Sequence, residues 1–345
     1  MILLRILLFP FSWLYYLITQ IRNYMYDRGL KPSVKFDLPV ICVGNLSVGG
    51  TGKTPMIEHL IRLLQNKYKL ATLSRGYGRG TKGIRIAGPS ENASTIGDEP
   101  FQFYTKFGQR ITVAVGEERA LAIPTILQER SDTQIILLDD GFQHRRVSPG
   151  FSILLTDYHR PFYNDFLLPS GRLRESRWSA ARADVIVVTK CPAQISEDKV
   201  IEMESSIRHY SHKPVFFTKI RYGNPTPFIN TSVSFTKQIV LITGIGNAKP
   251  LETYAKENYT LVKHLAFNDH HTYTEADIKT LIDLKNNHQQ VAFLTTEKDK
   301  VKLDVPQFHK LLGEFPLFYL PIEIDFIKAG KDFDEIVLNF IQRAQ

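Results

Sequence analysis

The sequence is poor in cysteine, with only Cys42 and Cys191 among its 345 residues. Both lie inside apolar, strand-like runs, so the sequence offers neither a spaced set of thiolate ligands nor a disulfide framework. We therefore expect a protein of a reducing compartment, in which the two thiols are small buried hydrophobes.

The sequence also contains no internal repeat, no low-complexity tract and no basic tract with interleaved aromatic residues of the kind that lines nucleic-acid grooves. Its net charge of +8 and pI of about 9.2 nevertheless indicate an anionic partner. We predict that this partner is not a nucleic acid, and we infer no obligate protein partner.

An apolar segment, MILLRILLFPFSWLYYLITQ, opens the sequence, and basic residues follow it. A cleaved signal peptide is not expected, because no small-residue cleavage site follows and Arg5 lies inside the apolar run. Arg5 and Pro10 also interrupt a segment that barely reaches the roughly 20 residues of a membrane-spanning helix. The aromatic and basic residues favour a membrane-associating helix over 1–35, with the body of the protein on the cytoplasmic side. The alternative is a helix packed against that body.

Apolar, β-branched runs alternate with amphipathic stretches along the chain, which indicates an α/β fold with a mostly parallel sheet covered on both faces. A proline-containing segment interrupts this pattern, and a second α/β series follows it. We predict two α/β/α lobes: a first lobe over 36–213, linker strands over 214–236 and a smaller α/β domain over 237–345, whose last helix could return to either lobe. The runs of the first series are 38–43, 69–74, 110–115, 134–139, 151–156 and 184–189.

A glycine-rich loop, VGNLSVGGTGKTP, follows the first of these runs. In a P-loop, backbone N–H groups cradle phosphate oxygens, the lysine reaches the outer phosphates and the next hydroxyl binds Mg²⁺. The usual first glycine of G-x-x-x-x-G-K-[ST] is a serine here, but three glycines keep the loop open. We therefore predict a P-loop NTPase-like first lobe whose nucleotide site is formed by Ser47, Val48, Gly49, Gly50, Thr51, Gly52, Lys53 and Thr54.

A P-loop site also needs a carboxylate at the end of a nearby strand. The segment IILLDDGFQHRR supplies Asp139 and Asp140 after an apolar run. Either of them would hold Mg²⁺, together with Thr54, directly or through water. The alternative is that the two aspartates only start a turn into Gly141.

Two further motifs carry groups that could act on an acceptor. In TIGDEPFQFY, Asp98 and Glu99 precede Pro100, and this pattern by itself favours a helix start with Asp98 as the N-cap. In FNDHHTYTEAD, His270 and His271 follow an apolar run. A zinc site is not expected there, because no cysteine accompanies the histidines, but one of them could carry a proton.

Seven motifs occur in this order along the chain: VGNLSVGGTGKTP, SRGYGR, GDEP, LLDDGFQHRR, LPSGRLRE, DHHTYT and TTEKDKVK. Together they resemble the tetraacyldisaccharide 4'-kinase family, the lipid A 4'-kinases of Gram-negative envelope synthesis. The resemblance covers nearly the whole chain. It implies that ATP, with Mg²⁺, donates its γ-phosphoryl group to the 4'-hydroxyl of tetraacyldisaccharide 1-phosphate. This acceptor is an anionic glycolipid, so the resemblance also implies a location at the inner membrane, peripheral or with a single N-terminal anchor.

The resemblance implies roles for particular residues as well. Asp98 would be the general base for the acceptor hydroxyl and His270 its partner, although the sequence leaves His271 open as the alternative. Guanidinium groups suit phosphate oxygens, and a further carboxylate could assist the metal. These additional substrate or phosphate contacts are implied for Arg75, Glu99, Gln143, His144, Arg172, Arg174 and Glu175.

A different class of function, a membrane-anchored P-loop switch or assembly ATPase with no small-molecule acceptor, is the alternative. Against a GTPase, the sequence has no N-K-x-D motif, since the lysine and aspartate of TEKD at 296–299 are adjacent. Against an assembly ATPase, such a switch would not need the GDEP and DHH motifs. Nucleotide turnover without lipid distinguishes the two classes, because a lipid kinase should be nearly idle until its acceptor is added.

Overall fold

The computed structural model describes residues 2–228, 233–269, 271–288, 290–312 and 315–344, and the predicted alternation of strands and helices is confirmed. The strands are β1 (Val40–Asn45), β2 (Leu70–Ser74), β3 (Arg85–Ile86), β4 (Ile111–Val115), β5 (Ile135–Asp139), β6 (Phe151–Asp157), β7 (Val185–Thr189), β8 (Val215–Tyr222), β9 (Thr226–Pro227), β10 (Gln238–Thr243), β11 (Thr260–Ala266), β12 (Ala292–Thr296), β13 (Leu317–Leu320) and β14 (Ile322–Phe326). The helices are α1 (Ile2–Asp27), α2 (Lys53–Leu64), α3 (Ala93–Ile96), α4 (Asp98–Phe107), α5 (Arg119–Glu129), α6 (Glu197–Arg208), α7 (Lys249–Asn258), α8 (Glu275–Asn287), α9 (Glu297–Leu303), α10 (Pro306–Leu312) and α11 (Gly330–Ala344).

The large sheet has nine strands in the order β14-β8-β7-β6-β1-β5-β2-β4-β3. β1 lies at its centre, paired in parallel with β5 and β6. The pairs at the two edges, β3–β4 and β8–β14, are antiparallel. Every residue of β1, β5 and β7 is buried, which explains why these strands are apolar along their length: elements pack on both faces of the sheet.

Helices α2, α4 and α11 cover one face of the large sheet. Ile57 of α2, Phe103 of α4 and Phe333 of α11 are fully buried in one core. The C-terminal helix therefore returns to the first lobe, beside β14. On the opposite face, Ile123 and Ile126 of α5 pack in a second core with β2 and β5.

The small sheet has five strands in the order β11-β10-β12-β13-β9, and α8 packs on it. The chain passes between the two sheets twice, from β8 to β9 and from β13 to β14. The segment 214–236 thus contributes one strand to each sheet. β14 then brings the chain back to the edge of the large sheet, where it pairs with β8.

Helix α1 lies against the large lobe through polar contacts. Ser12 Oγ donates a hydrogen bond to Ser170 Oγ at 2.8 Å, and Arg22 Nη2 donates to the carbonyl of Gln143 at 2.6 Å. Within the described ranges, no helix is both long and apolar enough to cross a membrane. Many apolar side chains of α1 nevertheless stay exposed: Leu7, Phe9, Phe11, Trp13, Leu14, Ile18 and Ile21.

Candidate active site

The glycine-rich loop joins the end of β1 to the start of α2, at the centre of the large sheet. Gly49 and Gly52 have φ angles of 105° and 84°, in the left-handed region that favours glycine. A Cβ atom placed on Gly49 or Gly50 would meet no atom within 4 Å, so there is open space beside the loop. The N–H groups at the start of α2 can therefore be approached by a phosphate, the ligand that a helix N-terminus favours.

Two side chains at the end of β7 hold this loop in place. Thr189 Oγ1 donates to the carbonyl of Thr51 at 2.9 Å. Lys190 Nζ donates to the carbonyl of Gly50 and pairs with Asp157 at 2.8 Å. Sequence reasoning missed both donors. The signal for them is topological: the carboxyl ends of parallel strands meet at one edge of a sheet, and β7 ends at the same edge as β1.

Asp140 follows β5 and lies beside the loop. Arg174 makes hydrogen bonds of 2.9 and 2.7 Å to its two carboxylate oxygens, and Lys53 Nζ lies 3.7 Å from Oδ1. Burial raises the pKa of Asp140, but Arg174 and Lys53 outweigh burial and bring the pKa below its ordinary value. Two cations thus converge next to the loop, where they can balance phosphate charge.

The segment LPSGRLRE runs along the glycine-rich loop, as the backbone contacts show. The N–H of Val48 donates to the carbonyl of Arg172 at 2.8 Å. Arg174 Nη2 donates to Asn45 Oδ1 in addition to Asp140. The predicted phosphate contacts Arg172 and Arg75 are both exposed, and Arg75 directly follows β2 at the same edge of the sheet.

Asp139, the last residue of β5, is only 3% exposed. Ser74 Oγ donates to its Oδ2 at 3.2 Å, whereas Oδ1 has no hydrogen-bond partner in the described part of the chain. Burial raises the pKa of Asp139 to about 7; Glu99 adds to this rise and Lys53 opposes it. A buried, unpaired carboxylate oxygen next to a phosphate loop fits a cation such as Mg²⁺. No three His, Cys, Asp or Glu side chains among the described residues form a metal site by themselves.

The GDEP motif begins α4. Gly97, not Asp98, is the N-cap, so the predicted N-cap is wrong by one residue. Gly97 has a φ of 94°, and a Cβ atom there would lie 3.0 Å from the carbonyl oxygen of Tyr77, so the turn requires glycine. Lys298 Nζ of the small lobe lies 3.7 Å from Glu99 Oε1 and 4.0 Å from Asp269 Oδ1. The GDEP motif and the first residue of DHH are therefore neighbours across the two lobes.

Only one of the two histidines of the DHH motif lies among the described residues. His270 lies outside the described residues. His271 Nε2 lies 3.0 Å from Asp277 Oδ2, and its ring stacks on Phe267 with centroids 4.4 Å apart. Asp277 also accepts a hydrogen bond from the N–H of Thr274, the N-cap of α8. These contacts connect His271 to the start of α8.

The remaining predicted residues are Gln143, His144 and Glu175, and in the described part of the chain only the first of them has a contact at the end of β1. Gln143 Nε2 donates to the carbonyl of Asn45 at 2.8 Å. Burial lowers the pKa of His144 to about 4, with positive charges nearby contributing, so its imidazole is neutral at pH 7. Glu175 is fully buried and pairs with Arg182, so its charge is already balanced by a cation.

The chain is similar to known proteins along nearly its whole length. The tetraacyldisaccharide-1-P 4'-kinase family model matches residues 4–342. The chain is 45% identical over 344 residues to the tetraacyldisaccharide 4'-kinase of Flavobacterium johnsoniae, covering 99% of this chain and 98% of that one. It is 40% identical over 358 residues to the enzyme of the same name from Bacteroides thetaiotaomicron, covering 97% and 93%.

A solved structure is similar as well. A crystal structure of the "apo" form of LpxK from Aquifex aeolicus in complex with ATP superposes with a TM-score of 0.77 at 28% sequence identity. The match covers 98% of this chain and 99% of that one. The likeness therefore extends over both lobes.

Proposed function

The chain belongs to the tetraacyldisaccharide-1-P 4'-kinase family, and we propose that Asp98 is the base of its phosphoryl transfer. The enzyme transfers the γ-phosphoryl group of ATP to the 4'-hydroxyl of tetraacyldisaccharide 1-phosphate in lipid A biosynthesis. One observation carries the proposal for Asp98: a Cβ atom on Gly97, the N-cap of α4, would lie 3.4 Å from the backbone of Gly76 just after β2, and Ser74 at the end of β2 donates to Asp139 beside the loop. The start of α4 therefore lies close to the phosphate loop.

On the donor side, the loop from Ser47 to Thr54 would hold the phosphates of ATP, with Lys53 at the outer ones. Thr54 and Asp139 would hold Mg²⁺, which when bound balances the phosphate charge that builds up during transfer. Asp139 is a better ligand than Asp140, because Arg174 already donates to both oxygens of Asp140, whereas Oδ1 of Asp139 is unpaired among the described residues.

On the acceptor side, the 4'-hydroxyl is a weak nucleophile until its proton is removed. Asp98 accepts that proton while the hydroxyl oxygen bonds to the γ-phosphorus and the bond from this phosphorus to the leaving ADP oxygen breaks. His270 is proposed to orient Asp98. His271, the alternative partner, already contacts Asp277 at the start of α8, which favours His270 for this role.

We further propose that α1 holds the enzyme at the inner membrane as a peripheral helix. Its exposed apolar side chains include Trp13 and Ile18, which are 60% and 57% exposed, whereas its polar contacts face the body of the protein. A helix with one apolar and one polar side lies in the membrane interface rather than across it. The acceptor is itself a membrane lipid, so this arrangement brings the active site to it.

The test of the catalytic role is transfer of labelled γ-phosphate from ATP to tetraacyldisaccharide 1-phosphate in detergent micelles. We expect Asp98→Ala to lower kcat by roughly 10²-fold or more, the usual effect of removing a general base. Lys53→Ala should abolish transfer through loss of nucleotide binding. Asp132→Ala, which removes an exposed carboxylate elsewhere on the same lobe, is the matched control and should behave as wild type. Full activity of Asp98→Ala would remove Asp98 from the mechanism.

A further inference from the structure

Two helices, one from each lobe, contact each other through charged side chains. In the large lobe, α4 carries Glu99 in its first turn and Lys106 in its last turn; in the small lobe, α9 begins with Glu297 and Lys298. Lys106 Nζ donates to Glu297 Oε1 at 2.6 Å, and Lys298 Nζ lies 3.7 Å from Glu99 Oε1. Each helix thus carries one acidic and one basic side chain, and each of these pairs with a side chain of opposite charge on the other helix. Two such contacts fix the distance between the helices and their relative position along the axis.

Lys106 also contacts the helix that follows the phosphate loop. Its Nζ donates to Oε2 of Glu58, a residue of α2 that is 1% exposed, at 2.7 Å. Gln102 of α4 donates to the other carboxylate oxygen of Glu58 at 2.9 Å. Burial raises the pKa of Glu58, so its ionised form depends on the cations beside it, Lys106 and Arg62. Removing Lys106 would therefore leave a buried carboxylate only partly compensated.

Glu297 extends the same network to the strand that returns to the large lobe. Its Oε2 accepts a hydrogen bond from the N–H of Ile322, the first residue of β14, at 3.1 Å. One ammonium group, on a side chain that is only 22% exposed, thus joins α2, α4 and the first turn of α9. These are the helix that starts at Lys53, the helix that starts at Asp98 and a helix of the lobe that carries the DHH motif.

We propose that Lys106 is a positioning residue, which sets the distance between the γ-phosphoryl group and the acceptor hydroxyl. The inference rests on the proposed role of Asp98, which begins the same helix. Among the described residues, Lys106 pairs with Glu58 and Glu297, neither of which belongs to the glycine-rich loop, so its loss should leave nucleotide binding intact. A misplacement of about 1 Å between reacting groups can cost about a hundredfold in rate, so a loosened network lowers kcat.

The experiment measures kcat, the KM for ATP and the thermal unfolding temperature of the full-length enzyme. Lys106→Met removes the charge and keeps the length of the side chain, and Lys106→Arg restores the charge. Glu297→Gln removes the negative charge that faces Lys106 and one of the two acceptor oxygens shared by Lys106 and the N–H of Ile322, and it leaves the Lys106–Glu58 pair in place. The matched control is Lys213→Met, which removes a lysine paired at 3.6 Å with Asp184 in the large lobe.

For Lys106→Met we expect kcat to fall at least tenfold, with the KM for ATP within about twofold of wild type, measured well below its unfolding temperature. Lys106→Arg should recover most of this loss, Glu297→Gln should show a smaller fall of the same kind, and Lys213→Met should show none. If Lys106→Met does not fold, Glu297→Gln decides. An unchanged kcat in the folded variants, or a KM for ATP that rises in step with the loss of kcat, would overturn the proposal.

The Asp98→Ala variant, assayed beside these, separates the two proposals. If Asp98→Ala is inactive and Lys106→Met is fully active, Lys106 has no positioning role and the assignment of the base stands. If Asp98→Ala keeps full activity, the base is misassigned. Lys106 then does not act by positioning Asp98 through α4, whatever the Lys106 variants show.

Discussion

Replacement of Asp139 by asparagine should stabilise the nucleotide-free enzyme at neutral and alkaline pH. The pKa of Asp139 is raised by burial from 3.8 to about 7. The folded protein therefore keeps its proton over a range in which the unfolded chain releases it. The free energy of unfolding therefore falls through the effect of Asp139 as the pH rises from about 4 to about 7. Above pH 7 this loss stays constant. The two pKa values differ by about three units, and each unit corresponds to about 1.4 kcal/mol, so the destabilisation by Asp139 is at most about 4 kcal/mol.

Asparagine is neutral at every pH, similar in shape, and its side-chain carbonyl can still accept the hydrogen bond from Ser74. Urea unfolding of Asp139→Asn and wild type, measured from pH 4.5 to pH 8.5, should show a difference that is small at the acid end and favours the variant by up to about 4 kcal/mol at the alkaline end. The same variant should bind ATP with Mg²⁺ more weakly, because an amide is a poorer Mg²⁺ ligand than a carboxylate.

Asp140→Asn is the matched control, because it should change stability in the opposite direction. Arg174 and Lys53 bring the pKa of Asp140 below its ordinary value in spite of burial, so its ionised form stabilises the fold above that ordinary pKa. The variant should thus be less stable than wild type at pH 8, and the difference should shrink in acid. If Asp139→Asn were also destabilised at pH 8, the carboxylate of Asp139 would be compensated in the free enzyme, and the argument for an unpaired metal ligand would be refuted.

Two other outcomes are expected. Arg182→Met should lower the free energy of unfolding by roughly 3–5 kcal/mol, because it leaves the fully buried Glu175 without its main partner. Urea unfolding measures this change. A loss of less than about 1 kcal/mol would show that Glu175 does not depend on Arg182. Trp13→Asp with Ile18→Asp should reduce flotation with anionic liposomes at least tenfold, since each apolar side chain removed from the interface costs about 1.5–3 kcal/mol. Leu121→Asp, an equally exposed leucine on α5, should float as wild type does, and unchanged flotation of the α1 double variant would exclude α1 as the membrane contact.

The central strands could be predicted from the sequence for a definite physical reason. A strand buried on both faces has no polar positions, so β1, β5 and β7 are visible as continuous apolar runs. The glycine-rich loop was equally predictable, because left-handed φ angles at Gly49 and Gly52 select glycine within a few residues. In both cases the determining interactions lie close together in the sequence.

The missed parts of the site depend on contacts between distant segments. Thr189 supports Thr51 from 138 residues away, and Lys106 meets Glu297 across 191 residues. Nothing in the neighbouring residues distinguishes Lys106 from any solvated lysine of an amphipathic helix. The helix start at GDEP was misplaced by one residue for a similar reason, since the close approach of Tyr77 to Gly97 belongs to the tertiary fold.

The groups proposed to bind ATP all lie in the large lobe, whereas those proposed to act on the acceptor are shared between Asp98 of the large lobe and the DHH motif of the small lobe. The glycine-rich loop, Asp139 and Arg174 all belong to the large lobe. Register in the buried centre of its sheet fixes the loop and Asp139, and hydrogen bonds to Asp140 and Asn45 hold Arg174. The DHH motif belongs to the small lobe, which is joined to the large one by two chain crossings and by the contacts of α4 with α9. Substitutions in the sheet should therefore reduce nucleotide affinity and stability together. Substitutions between the lobes should reduce turnover and leave nucleotide affinity unchanged. The position of the acceptor depends on the contacts between α4 and α9, whereas the position of the nucleotide does not.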